Sequence, residues 1–264
     1  MGKMIFVVDI FSDVVLYIVK GNSITMPAEL ASDNLENLPT WSKDGRKLYY
    51  ICADKITDTL PYDVILYNLM SIGFDEEKRE SGHTDILISA GDFGKSISFP
   101  GESPPSGIIS FLGPEYGYCS VYNKEAYVYF FNSETGALTM PGLNSEFTGS
   151  YPSWPGNGSW LMFVSKRDVG LLSQVLFSHI DENSNAGKPF VLPQSYPDFY
   201  ADYQYNYNRP DFISGKVQMY PGKLFGYVRK GIDSCSFNMA ASVSATTGAI
   251  IPAVKLETDF YHHN

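Results

Sequence analysis

The chain has 264 residues, a formal net charge of −10 and an aromatic content of 15%. That length fits one large domain or two small ones. The acidic balance, with no run of Lys and Arg, excludes an extended nucleic-acid-binding face, because phosphate contacts need a basic patch. Turn residues are frequent, at 23 Gly and 16 Pro, and long segments of helical period are missing, so an all-β chain with many turns is predicted.

In chain order, residues 4–19 predict two strands joined near Ser12-Asp13. Asp9 and Asp13 interrupt the apolar run. It therefore has neither the uncharged core of an export signal nor the roughly 20 uninterrupted apolar residues of a membrane span. Residues 4–30 read as a partial strand unit. Residues 39–92 predict a fuller one, with strands near 47–53, 64–74 and 85–89 and a charged hairpin loop at 75–82. Residues 95–141 follow, ending in a hairpin of 126–131 and 137–140. Residues 150–193 make another, with strands at 160–165 and 174–180 and a polar loop at 181–187. The segment 193–210 predicts an extended loop with one helical turn, carrying Tyr196, Phe199, Tyr200, Tyr203, Tyr205 and Tyr207. Residues 211–254 predict a last unit with strand-like pieces at 216–220, 224–230, 237–244 and 249–254, ahead of a tail at 255–264.

A phrase recurs through these units. Pro39-Thr40-Trp41-Ser42-Lys43-Asp44-Gly45-Arg46 leads into an apolar strand, as does Tyr151-Pro152-Ser153-Trp154-Pro155-Gly156-Asn157-Gly158. Phe99-Pro100-Gly101-Glu102 is an echo without the Trp. Asp44-Gly45 and Asn157-Gly158 predict two-residue hairpin turns. Trp41 and Trp154 are expected in the core between neighbouring sheets. Repeats at this separation indicate stacked or radially arranged units.

The phrase Pro-x-Trp-Ser-x-Asp-Gly-Arg with its strand resembles the blade motif of TolB-like β-propellers, and most closely that of exported bacterial members of the group. Ser165-Lys166-Arg167-Asp168, Leu192-Pro193-Gln194 and Asn208-Arg209-Pro210-Asp211-Phe212 extend the resemblance. It implies a ring of five irregular blades, or a six-bladed ring that is open or truncated. It also implies closure through residues 4–19 paired with strands near the C-terminus, and a monomer in the periplasm or cell envelope. The implied function is a non-enzymatic scaffold for a protein or glycan partner. No Cys-x-x-Cys-His occurs, so no haem and no other cofactor is expected.

The candidate binding residues are Arg167, Asp168, Tyr203, Tyr205, Tyr207 and Arg209. Arg167 at a channel mouth suits an anion or carbonyl, or else pairs with a carboxylate while Asp168 caps the following turn. The tyrosines offer flat rings with polar tips, as contact surfaces do, or else cover a sheet edge. The alternatives are a propeller glycoside hydrolase or lyase and a remnant of a larger exported protein. The enzyme would use two carboxylates drawn from Asp9, Asp54, Asp92, Asp168, Asp198, Asp202 and Asp211. His83 beside Asp85 reads as a solvated loop, His179 as a structural strand residue, and His262-His263 as tail, so no metal site is expected. Cys52, Cys119 and Cys235 have no metal or redox spacing and read as free buried thiols.

Overall fold

The computed structural model describes residues 5–10, 13–18, 23–25, 30, 34–54, 61–75, 80–104, 107–120, 123–167, 172–202, 205–213 and isolated positions between 215 and 226. For residues 5–25 the description is of the backbone alone. Of the expected last unit at 211–254, the described positions are not strand: 216 and 220 have no regular structure and 225–226, inside the strand expected at 224–230, are helical. The rest of that unit and the closure of the ring lie outside the described residues.

The described residues form an all-β propeller. β1 (Ile5–Ile10), β2 (Asp13–Ile18) and β3 (Ser23–Thr25) make a three-stranded antiparallel sheet, with the first turn near Ser12-Asp13 as expected. Three four-stranded antiparallel blades follow in chain order. Blade 1 is β4 (Leu35–Trp41), β5 (Lys47–Ala53), β6 (Asn68–Asp75) and β7 (Glu80–Ile88). Blade 2 is β8 (Ser98–Glu102), β9 (Ile108–Gly113), β10 (Tyr127–Asn132) and β11 (Leu138–Thr139). Blade 3 is β12 (Gly149–Ser153), β13 (Trp160–Ser165), β14 (Gln174–His179) and β15 (Phe190–Val191). Among the described residues helix is limited to α1 (Ala90–Phe93), α2 (Phe199–Asp202), a 3-10 turn at Tyr62–Val64, single 3-10 positions at 30 and 120, and helical positions at 222–223 and 225–226. β4 lies beside β8, β8 beside β12, and β1 and β2 beside β4. The first strands therefore share the inner side of the arrangement.

The second strand of each blade is buried on both faces, which is why it reads as a continuous apolar run. In β5 every residue from Leu48 to Ala53 is buried. Its alternate side chains divide between two cores. Tyr49, Ile51 and Ala53 pack with Ile97, Ile109 and Phe111 of blade 2, whereas Leu48, Tyr50 and Cys52 pack with Leu30 and Trp41 on the other side. Blades 2 and 3 repeat the arrangement, with Leu112, Val128 and Phe130 against Trp154, Leu161 and Phe163.

A backbone irregularity recurs on the inner strands. Leu38, Phe99 and Tyr151, each followed by Pro, adopt φ of 52°, 48° and 53°. Each lies within a break in register, between Asn37 and Thr40, Ser98 and Gly101, and Ser150 and Ser153. Such a bulge sets an extra residue against one on the partner strand and increases local twist. The left-handed conformation of a non-Gly residue costs about 1–2 kcal/mol and persists where the surroundings over-determine it. Here the partners opposite are the buried rings of Tyr50, Phe111 and Phe163.

The turns differ from the two-residue form expected for Asp44-Gly45. Ser42 N–H donates to Lys47 O at 2.8 Å and Gly45 N–H to Ser42 O at 3.0 Å, so the loop spans residues 43–46. Only Gly45 has positive φ, at 71°, whereas a type I′ turn needs it at both central positions. Asp44 instead uses its carboxylate, accepting from Ser42 Oγ at 2.7 Å and Arg46 N–H at 3.0 Å. The strand expected at 64–74 begins only at Asn68, after the 3-10 turn. His83, expected in a loop, lies on β7, which starts five residues before the strand expected at 85–89; His83 and Asp85 are both exposed on it.

Burial raises Cys52 to about 11 and holds the phenols of Tyr49 and Tyr50 above the ordinary tyrosine range, the Tyr49 hydroxyl further because Glu102 is beside it. Each native group keeps its proton at a pH where the unfolded one has lost it. Stability is therefore complete below the thiol's unfolded value of 9.0 and falls as pH rises towards 11 and through the tyrosine range. We expect the melting temperature to fall steadily in scans from about pH 8.5 upward; a flat profile to pH 11 would contradict this burial.

Candidate binding site

Antiparallel pairing places the start of the first strand, the end of the second and the start of the third at one end of each blade. That end carries the long connections at 54–67, 114–126 and 166–173, and the inter-blade crossings at 89–97 and 140–148. The opposite end carries hairpins at 43–46, 103–107, 133–137 and 154–159. Long connections held by a rigid sheet are where binding residues concentrate.

Blade 3 has one face towards blade 2 and one facing away. Ser153, Met162, Phe177 and Phe190 form a cross-strand row on the far face. Trp160 extends it, with ring centroids 5.1 Å from His179 and 5.9 Å from Phe190. The segment 205–213 crosses this face. Asn206 Oδ1 accepts from Ser173 N–H at 2.8 Å and from Ser173 Oγ at 3.2 Å. Tyr207 N–H donates to Ser173 O at 3.1 Å and its carbonyl accepts from Ser173 Oγ at 2.8 Å. Further along, Ser153 Oγ donates to Asp211 Oδ1 at 2.9 Å and Phe212 lies 6.2 Å from Phe177. The segment is thus fastened at both ends of the sheet.

Between it and the sheet, at the long-loop end, is a cleft of about 370 Å³. Thr148, Ser150, Tyr151, Val164, Ser165, Lys166 and Ser173 line the blade side; Asn206, Tyr207 and Asn208 line the other. Such a volume lies at the small end of ligand pockets. The residues that line it bear hydroxyl and amide groups, apart from Val164 and the single cation Lys166, and include no carboxylate, in a chain of net charge −10.

The sequence candidates divide around this cleft. Tyr207 lines it, half-buried. Tyr205 and Arg209 flank the lining residues and are exposed, Tyr205 by 72%. Arg167 is turned inward: its Nη2 donates to Leu143 O at 2.7 Å and its guanidinium lies 5.3 Å from the Phe163 ring centre. Asp168 and Tyr203 lie outside the described residues. Tyr196 is exposed and donates to Asp202 Oδ2 at 3.1 Å; Tyr200 donates to Leu192 O at 2.8 Å. Among the carboxylates offered for an enzyme, Asp54, Asp92, Asp198, Asp202 and Asp211 are exposed. Among the described residues the buried carboxylate is that of Glu36 on the innermost strand β4, which is absent from the sequence candidates. Lys166 and Ser165 are absent from the sequence candidates, and they meet Asn206 of the tyrosine-rich segment only because the chain returns across the blade.

Of the thiols, Cys52 is buried and Cys119 half-buried, both free. In a Cys235→Ala background, Cys119 is expected to react first with a thiol reagent at pH 8, and Cys52 only on unfolding. Equal rates would contradict the burial of Cys52. Among the described residues no helix is long and apolar enough to cross a membrane, and no group of His, Cys, Asp and Glu is placed to hold a metal ion.

No family model matches the chain, and no curated protein matches it in sequence. Solved structures do. A puromycin-hydrolyzing peptidase of Mycobacterium tuberculosis matches with 14% identity and a TM-score of 0.50, over 74% of this chain and 31% of its own. An oligogalacturonate lyase in complex with manganese matches at 11% and 0.49, over 71% and 50%. A TolB-like protein from Agrobacterium tumefaciens matches at 16% and 0.47, over 71% and 59%. The chain spans less than two thirds of the length of each. At these identities the likeness is one of fold alone, and the fold is the β-propeller that the blades themselves display.

Proposed function

We propose that the protein is a non-enzymatic β-propeller scaffold of the TolB-like kind, monomeric and exported to the cell envelope, that binds a glycan or polypeptide partner at the long-loop end of blade 3. The observation that carries this reading is the cleft itself. A rigid sheet supplies one wall and a fastened, aromatic-rich segment the other, and exposed Tyr205 and Arg209 stand beside it. Aromatic and Arg side chains dominate binding hot spots, and a rigid frame lowers the ordering cost of association. Function on a fold of this breadth is set by such a site and not by the fold.

The test is a pair of arrays, one of glycans and one of peptides, probed with the wild-type chain and with Tyr205→Ala/Arg209→Ala. Both side chains are exposed, so stability is expected to stay within about 0.5 kcal/mol. A ligand retained by the wild type and lost by the double variant supports the reading. Equal retention by both overturns the assignment of the site.

A further inference from the structure

We propose that the cleft binds a carboxylate-bearing sugar, with Lys166 and the amides of Asn206 and Asn208 as its anion-recognising donors; this inference rests on the binding role given above. The cleft's polar groups are biased towards donors. Lys166 is half-buried and makes no ion pair or hydrogen bond among the described residues. Ser165 is 3% exposed, lines the same cleft, and its Oγ has no hydrogen-bond partner. Asn206 spends its side-chain oxygen on Ser173, and Asn208 spends its own on Arg209 N–H at 2.9 Å. The NH₂ group of each has no partner among the described residues. An ammonium and two amide NH₂ groups only donate, so the complementary ligand is rich in acceptors and carries negative charge. Lining a cleft with unspent donors and no carboxylate favours an anion over a cation or a neutral apolar ligand.

Three features favour a sugar acid over a peptide. The cleft lies against the face of the blade, where Ser150 and Val164 form a cross-strand pair. A peptide added to a sheet needs a free strand edge for its main chain. Tyr151 and Tyr207 are among the lining residues, and tyrosine combines an apolar face with a polar tip, which suits a hydroxylated ring. The volume of about 370 Å³ holds one or two sugar rings and not a folded partner.

Isothermal titration of the full chain with glucuronate, glucose and a glucuronate-containing oligosaccharide tests the proposal. Glucuronate should bind at about millimolar affinity or better, and glucose at least about tenfold more weakly. Lys166→Gln should weaken glucuronate about tenfold without changing glucose, and Lys166→Arg should restore most of the loss. Asn206→Asp keeps the oxygen that Ser173 needs but puts a charge against the carboxylate, and should lose glucuronate. Tighter binding of the oligosaccharide identifies a glycan chain as the source; equal binding identifies the free sugar acid. Equal affinity for glucose and glucuronate, or unchanged glucuronate affinity in Lys166→Gln with native circular dichroism, overturns the proposal. So does the lack of saturable glucuronate binding up to about 20 mM, well above the affinity expected. If the arrays show a ligand lost in Tyr205→Ala/Arg209→Ala while glucuronate fails here, only this inference falls and the binding role stands.

Discussion

Replacing Trp154 by alanine is expected to cost about 3–5 kcal/mol of folding stability, the range for a large aromatic removed from a packed core. The ring is 5% exposed, lies 5.5 Å from Phe130 of the preceding blade, and its Nε1–H donates to Ser110 Oγ at 2.8 Å. Removing it opens a cavity between blades 2 and 3 and strands the Ser110 hydroxyl's acceptor site. The same change at Trp41 should cost clearly less. Trp41 is only half-buried, its indole N–H has no hydrogen-bond partner among the described residues, and its aromatic neighbour is Phe74, edge-on at 5.5 Å. Urea unfolding of both variants decides this. Equal losses would mean that the two copies of the repeat do the same structural job.

The second large effect is a coupling. Glu102 occupies in blade 2 the place of Trp154 in blade 3, and Tyr49 occupies in blade 1 the place of Ser110 in blade 2. Tyr49 Oη donates to Glu102 Oε1 at 3.0 Å and Lys43 N–H to Glu102 Oε2 at 2.7 Å. One blade joint thus pairs a large ring with a small hydroxyl, and the other a large phenol with a shorter carboxylate. Glu102→Trp alone should destabilise by about 1–3 kcal/mol through overpacking, and more through the stranded Tyr49 and Lys43 donors. Tyr49→Ser alone leaves a cavity and takes one of two hydrogen-bond donors from the half-buried Glu102 carboxylate. Combining the two recreates the joint between blades 2 and 3, so the double variant should be more stable than the sum of the single losses by at least about 1 kcal/mol. Additive losses in a double-mutant cycle would show that the two joints are not equivalent.

That swap also explains what the sequence could and could not convey. The apolar runs, the Trp-bearing phrases and the turn dipeptides are local signals, and they place the second strands of all three blades correctly. Loss of the Trp at Glu102 made blade 2 look degraded. Its compensation lies 53 residues away at Tyr49, and no local pattern connects the two. The bulges at Leu38, Phe99 and Tyr151 left a cue in the residue before each Pro. Sterics before Pro bias that position towards extended backbone, so positive φ there was not expected. The hairpin length was missed because Asp44 tolerates positive φ but satisfies itself through its carboxylate.

The cleft at blade 3 was half legible. Clustered aromatics marked the segment near Tyr205 and Tyr207, and its helical turn appears at α2. The residues that face it come from β12, β13 and the connections next to them, with Ser173 just before β14. They are ordinary Ser, Thr and Lys positions that carry no signal until the chain returns across the blade. Arg167 drew notice as a cation next to a strong strand, yet its neighbour Lys166 is the one that lines the cleft, because the Arg167 guanidinium turns in to Leu143 and Phe163.

Differential hydrogen exchange tests the central claim most directly: the chain is measured alone and with the ligand that the arrays retain most strongly. A partner held at the long-loop end of blade 3 should slow exchange in residues 148–151, 164–167 and 205–209, while the hairpins at 43–46, 103–107 and 154–159 keep their rates. Slowing confined to those hairpins, with no change along the cleft, would contradict the account.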